Sequence, residues 1–298
     1  MDEGWDEGRG ASEWIARLRV LASGSSGNCS LLSCRCGGRV RHGLIDAGIS
    51  PKRIRTRLES CGVDWSEIEF VLLTHLDSDH AHPGLARAIR RRPGARVLMH
   101  ERHARRAGPT GLRAEAVAGE FELGDGVRCD ATLLPHDGVG VAAFRFEFSS
   151  RNEALAGSLG FATDLGRVPP ELVERFRGVD VLAIESNYCP NLQHASARPD
   201  FLKRRITGGA GHLSNGEALQ AIEEIEPREH VVLLHLSREC NHPEIVAEMH
   251  AGADYAYTIA EAVRPTRWVP VQGRAAEPRP EPEVHVQGGL FDLLEPTG

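Results

Sequence analysis

Residues 71–80 read Val71-Leu72-Leu73-Thr74-His75-Leu76-Asp77-Ser78-Asp79-His80: an apolar run that ends abruptly in four side chains able to ligate a metal. The run predicts a buried strand over residues 70–74. A tight loop after it can aim His75 and Asp77 to one side and Asp79 and His80 to the other, so one short segment can serve two adjacent ions. Nitrogen and carboxylate donors of this kind suit Zn, Mn or Fe. A plain polar loop capping the next turn is the competing interpretation, and four further residues weigh against it. Asp46 follows Gly43-Leu44-Ile45, His136 follows Leu133-Leu134-Pro135, Asp164 follows Phe161-Ala162-Thr163, and His235 follows residues 231–234. Two cations about 3.5–4 Å apart require extra ligands and a bridging carboxylate.

Outward from that stretch, strands are predicted at residues 18–22, 30–34, 43–46, 96–99, 127–134, 141–148, 159–163, 179–184 and 230–235. Helices are predicted at residues 51–61, 170–176 and 214–225, the first opened by Ser50 as cap and Pro51 in the first turn. Strands predominate early and alternate with helices late, as in a layered α/β domain with its chemistry in the loops at strand ends. The 298 residues, 41% hydrophobic and 26% charged, exclude a disordered or fibrous chain and leave room for one large domain. Residues 1–16 have the composition of a mobile acidic arm, residues 17–272 that of the folded domain, and residues 273–283 that of a Pro-rich linker. No apolar run approaches the roughly 20 residues of a membrane helix. The acidic N-terminus lacks the apolar core of a secretory signal, and the seven cysteines contain no CxxC pair, so a reduced cytoplasmic protein is expected. A net charge of −7 argues against a generally basic nucleic-acid coat but permits a local basic groove.

Asp46, the His75 to His80 stretch, His136, Asp164 and His235 resemble, in order, the five motifs of the metallo-β-lactamase-fold hydrolases. Residues 21–28, 162–166 and 185–187, Gly211-His212-Leu213-Ser214-Asn215 and His235-Leu236-Ser237 are similar to the bacterial YycJ (WalJ) branch, which is associated with 5′ to 3′ exonuclease activity on DNA. The resemblance implies a four-layer αββα sandwich with two divalent metal ions at one edge of its sheets. It implies His75, Asp77 and His136 on one ion, Asp79, His80 and His235 on the other, Asp164 as the bridge, and Asp46 behind the ligands, orienting them. The usual pattern is HxHxDH. Asp77 in place of its second histidine makes the first site harder and more anionic, shifting preference from Zn towards Mn, Fe or Mg.

Two cations can activate water and neutralise phosphate charge, but the leaving group still needs a proton. Glu185 and His212 resemble the Glu–His dyad beside the scissile phosphate in the tRNA 3′-processing ribonuclease Z, and with Asp79 they form the expected catalytic set. Alone, Glu185 also reads as a solvated strand-end acid and His212 as a helix-entry histidine. Lys203, Arg204 and Arg205 are candidate phosphate-binding residues, and Arg90 to Arg92 with Arg102, Arg105 and Arg106 are candidates for a longer backbone track. These residues favour a phosphodiester, and the resemblance to the YycJ (WalJ) branch implies DNA as the substrate, in repair or replication. A ribonuclease, a lactone or thioester hydrolase of the same fold, and a weakly catalytic regulatory module remain open. Near the C-terminus, Gln287, Leu290 and Phe291 resemble the Q-x-x-L-F core of peptides that bind the bacterial sliding clamp.

Overall fold

The computed structural model describes residues 14–36, 39–92, 94–136, 138–150 and 155–275. The candidate clamp peptide with Gln287, Leu290 and Phe291 lies outside the described residues, as do residues 1–13 of the acidic arm. Two sheets form the centre. The first comprises β1 (Trp14–Ala22), β2 (Cys29–Cys36), β3 (Arg39–Ile45), β4 (Ile68–Leu73), β5 (Arg96–His100) and β6 (Glu115–Val117). The second comprises β7 (Gly119–Gly124), β8 (Val127–Leu134), β9 (Val141–Ser149), β10 (Leu155–Ala162), β11 (Val181–Glu185), β12 (His230–Leu234) and β13 (Ala256–Ile259). The chain then returns to the first sheet, where β14 (Val269–Gln272) pairs with β1, and ends with β15 (Arg274–Ala275) on β10.

Period-two alternation splits each inner strand between two cores. In β11 and β12, Val181, Ala183, Val232 and Leu234 face the other sheet, where they join Leu18, Leu32, Leu72, Phe144 and Phe146. Their neighbours Leu182, Ile184, Val231 and Leu233 face outward onto α4 (Pro170–Phe176), α7 (Asn215–Ile225) and α8 (Pro243–Met249). On the far side, α1 (Pro51–Glu59) and α2 (Leu85–Arg90) cover the first sheet through Ile54, Leu58 and Leu85. The result is the expected four-layer αββα sandwich. Ser50 caps α1, and Ser214 with Glu217 closes a capping box on α7.

β1 begins at Trp14, four residues ahead of the expected strand start at residue 18, because Ala16 pairs with Cys34 on one side and Val271 on the other. Arg17 and Arg19 interrupt the local apolar pattern, yet the Arg17 guanidinium sits 4.0 Å from the Trp268 ring centroid, using a residue far away in sequence. Likewise β15 carries sheet pairing past Gly273, where the linker composition begins.

The carboxyl ends of the parallel strands converge on one edge. β3 pairs in parallel with β4, β10 with β11, and β11 with β12, so Asp46, Thr74, Asp164, Glu185 and His235 emerge level with one another. Two bonds tie the sheets together there: Ala142 N donates to Thr74 O at 2.9 Å, and His235 N to Ser23 Oγ at 2.7 Å. Among the described residues no helix is long and apolar enough to cross a membrane.

Candidate active site

The strands that reach this edge end in an unusual conformation. Asp46 (φ 58°), Asp164 (φ 53°) and His235 (φ 56°) occupy the left-handed region, and among the described residues only Glu226 joins them as a non-glycine with positive φ. Such a residue costs roughly 1–2 kcal/mol in an L-amino acid. The cost is met at three positions where a strand must stop within one residue and present its side chain at the edge.

Asp164 is the centre of the constellation. His80 Nε2 lies 2.6 Å and His75 Nε2 3.3 Å from its Oδ2, while His235 Nδ1 lies 2.5 Å from its Oδ1. Asp79 Oδ2 stands 3.7 Å from His80 Nε2 and 3.9 Å from His235 Nε2. Three groups of donor atoms each gather within 4.8 Å: Asp79, His80, Asp164 and His235; His75, His136 and Asp164; and Asp164, Glu185, His212 and His235. Asp164 belongs to all three. Asp77 stands outside them, its side chain 64% exposed and its Oδ2 3.8 Å from His75 Nε2. Behind the cluster, buried Asp46 accepts from His80 Nδ1 at 2.7 Å and from the Thr74 backbone N–H at 2.9 Å and hydroxyl at 3.0 Å. It thereby fixes the imidazole plane of His80.

The electrostatics call for positive charge at this point. Burial opposes a charged His235, but Asp164 and Glu185 outweigh it and lift the imidazole to about 10. Burial likewise opposes charge on His80, which Asp164 and Asp46 nevertheless raise well above its ordinary value. Burial pushes His75 down to about 2, with His80 adding to the effect, so its lone pair stays available. Burial also pushes Asp79 up. The Nε2 atoms of His75 and His235 are shut off from solvent and make no hydrogen bond. Buried imidazole nitrogens without a hydrogen-bond partner, around a carboxylate shared by several imidazoles, fit divalent metal ions.

Glu185 is fully buried, not a solvated strand-end acid. Its Oε1 accepts from His212 Nδ1 at 2.7 Å, and its Oε2 from the Leu165 backbone N–H at 2.6 Å. Burial alone would raise Glu185; the charge of His212 and the hydrogen bonds from His212 and His235 hold it below the usual carboxylate range. Burial in turn opposes charge on His212, and Glu185 overcomes it to raise the imidazole above its ordinary value. His212 lines a cavity of about 420 Å³ together with Asp77, Asp79, His136, Asp164 and His235.

Two arginines, Arg198 and Arg205, also line this cavity. Leu202, Arg205 and Ile206 line it at the i, i+3, i+4 spacing of one helical face. Of the candidate triplet, only Arg205 therefore lines this cavity: α6 (Asp200–Arg205) turns Lys203 away, and its Nζ donates to His194 O at 2.7 Å. Arg204 is exposed and does not line the cavity either. Sequence inspection missed Arg198. It lines the cavity with its guanidinium held by Glu239 (2.9 Å), Gln193 (3.1 Å) and Ser237 (3.2 Å). Its nearest signal was Ser237 in the His235-Leu236-Ser237 motif. Asn28, whose Nδ2 lies 2.9 Å from His80 Nε2, was noted only as part of a motif.

Residues 41–236 match the Beta-lactamase superfamily domain. The chain belongs to this superfamily. Members similar to it include an exodeoxyribonuclease YycJ from Bacillus anthracis, 26% identical over 76% of this chain and 84% of that one. An exodeoxyribonuclease WalJ from Streptococcus pneumoniae serotype 2 is 27% identical over 82% of this chain and 94% of that one. Among solved structures, the metallo-β-lactamase fold protein YhfI from Bacillus subtilis superposes with a TM-score of 0.62 at 17% identity, covering 84% of this chain and 98% of that one. The superfamily, its fold and the donor set at the sheet edge make the chain a metal-dependent hydrolase.

Proposed function

We propose that this hydrolase is an exodeoxyribonuclease that holds two divalent metal ions and degrades DNA from the 5′ end. His75, Asp77 and His136 would hold one ion, Asp79, His80 and His235 the other, and Asp164 both. The harder donor set around Asp77 favours Mn or Fe over Zn at the first position. Bound there, the ions supply Lewis-acid stabilisation of phosphate charge and activation of water.

The observation that carries the proposal is the 2.7 Å contact between Glu185 and His212 in the same cavity as Asp164 and the immobilised Arg198. With Nδ1 engaged by a buried carboxylate, His212 keeps its proton and retains Nε2 as the remaining ring donor. It can deliver a proton to the departing sugar oxygen. Arg198 is ordered before substrate arrives, so little side-chain freedom is lost when its guanidinium meets a phosphate. A lactone or thioester develops charge on one oxygen only; two arginines facing the donor cluster suit a phosphodiester flanked by other phosphates. The exodeoxyribonuclease names of the two bacterial relatives support the same choice.

The test is incubation of purified protein, with Mn, Zn or chelator, with 5′-labelled single-stranded DNA, duplex DNA and RNA of one sequence. Metal-dependent release of label as mononucleotide or short product from DNA is expected. Preferential cleavage of RNA, or hydrolysis of lactones and thioesters with DNA untouched, would overturn it.

A further inference from the structure

A second cationic feature adjoins the donor cluster through His136. Arg102, Arg105 and Arg106 line a cavity of about 300 Å³ with Gly138 and Val139. Arg102, Gly138 and Val139 also line a neighbouring cavity of about 500 Å³ that reaches His136, and His136 lines the central cavity in turn. The three cavities thus share lining residues in series, from the donor cluster through His136 and then Gly138 and Val139 to three arginines. Arg90, by contrast, is turned to Gly111 O at 3.4 Å and lines none of these cavities.

The two walls of this series of cavities are joined. His103, buried on the short helix α3 (Glu101–Ala104), bonds through Nε2 to Gly140 O at 2.9 Å, pinning the arginine-bearing segment to the turn. A methyl group on Gly138 would meet no atom within 4 Å, so the turn leaves open space above the groove floor. Glu101, the acid on this wall, is taken up by Arg105 at 2.6 Å, and among the described residues neither Arg102 nor Arg106 has an ion pair. Uncompensated arginines clustered in a chain of net charge −7 mark a place where an anion completes the charge balance. One phosphate at the centre is served by Arg198 and Arg205; arginines reached only by travelling past His136 can serve a substrate that extends beyond it.

We infer that the Arg102–Arg106 groove holds the backbone of the DNA strand leading away from the scissile phosphate, so that affinity rises with strand length. This rests on the exodeoxyribonuclease proposal. The strand enters past His136, and its sugar-phosphate backbone, not its bases, meets the guanidinium groups, so the contact is independent of sequence.

The experiment measures binding of a fluorescent twenty-nucleotide strand and a labelled dinucleotide by anisotropy in chelator, across a salt series, and cleavage of both with Mn. Parent, Arg102→Ala with Arg106→Ala, and Arg102→Lys with Arg106→Lys are compared, with circular dichroism confirming that each is folded. For the long strand the alanine pair is expected to weaken binding about tenfold, as two charge-assisted contacts are lost, and to flatten the log–log salt slope by about 1.4. The change on the dinucleotide should be much smaller, and the lysine pair should recover most of the slope. An unchanged slope, or equal losses on both lengths, overturns the groove. Length-dependent binding that falls in the alanine pair while no DNA is cleaved keeps the groove and overturns the exodeoxyribonuclease proposal.

Discussion

Asp164 is shared by every donor group in the site, so its removal reaches all of them at once. Asp164→Ala is expected to lose bound metal, by elemental analysis of the purified protein, together with activity; undiminished metal content would remove Asp164 from its bridging role. His212 differs, because its Nδ1 is committed to Glu185 and its loss leaves the remaining donors standing. His212→Ala should retain metal while kcat falls by roughly 10²- to 10⁴-fold, the range for a lost general acid. A decrease below about threefold would leave His212 a structural neighbour of Glu185. His75, His136, Asp164 and His235 were legible as strand-end residues because each follows an apolar run, and His80 as the last of four candidate ligands within six residues. Glu185 was ambiguous for the opposite reason: sequence shows that an acid ends the run, but not that the fold seals it from water. Arg198 was not legible, since its role depends on Glu239, Gln193 and Ser237, which fix its guanidinium from other parts of the chain.

At the scale of elements, the loop carrying His75 to His80 is held by two neighbours. Asn28 N donates to Asp79 O at 2.7 Å, Ala47 N to His80 O at 2.8 Å, and Gly48 N to Asn28 O at 2.7 Å. Gly48 lies so close beneath the loop that a Cβ there would stand 1.6 Å from Asp79 O, which is backbone and cannot swing aside. Gly48→Ala is therefore expected to cost about 1–3 kcal/mol, the usual cost of overpacking, read as a lower urea midpoint. It should also lower metal content, because relief of the clash moves the segment bearing Asp79 and His80. Wild-type stability and metal content in this variant would show that the loop is not clamped. The long amphipathic α7 and the run of β8 were foreseen at close to their observed bounds. The short α6 was not, and the basic triplet was consequently treated as three equivalent cations, whereas helical period places Arg205 alone on the cavity wall.

For the whole molecule, the inter-sheet core sets the spacing of the two edges that meet at the site. Phe144, Phe146 and Phe148 on β9 are fully buried in it, with the rings of Phe146 and Phe148 6.1 Å apart and stacked. Phe146→Ala should destabilise the protein by about 3–5 kcal/mol in denaturant unfolding. A loss under about 1 kcal/mol would mean that the sheets are held apart by other contacts. The donor cluster draws from both sheets, His75 and His80 following β4 of the first and Asp164 and His235 following β10 and β12 of the second. Activity in this variant should accordingly decline at temperatures where the parent is unaffected.

By itself the sequence determined the order of the apolar strands, the layered α/β class and the positions at which a strand hands over to a side chain able to ligate a metal. These are local properties: side-chain period, strand length and the residue that follows the run are all written within a few positions. It could not determine which residues are sealed from water, since burial of Glu185 and the depth of Asp46 arise only when two sheets and their helices close over one edge. Nor could it assign the short strands β6, β13 and β14, whose pairing partners lie far along the chain or whose few residues carry no clear alternation. The division of the arginines into Arg198 and Arg205 at one cavity and Arg102, Arg105 and Arg106 at another was likewise decided in three dimensions. Charge is a property of composition, but the direction in which a guanidinium faces is set by the element that carries it and by the acceptors that the fold brings within reach.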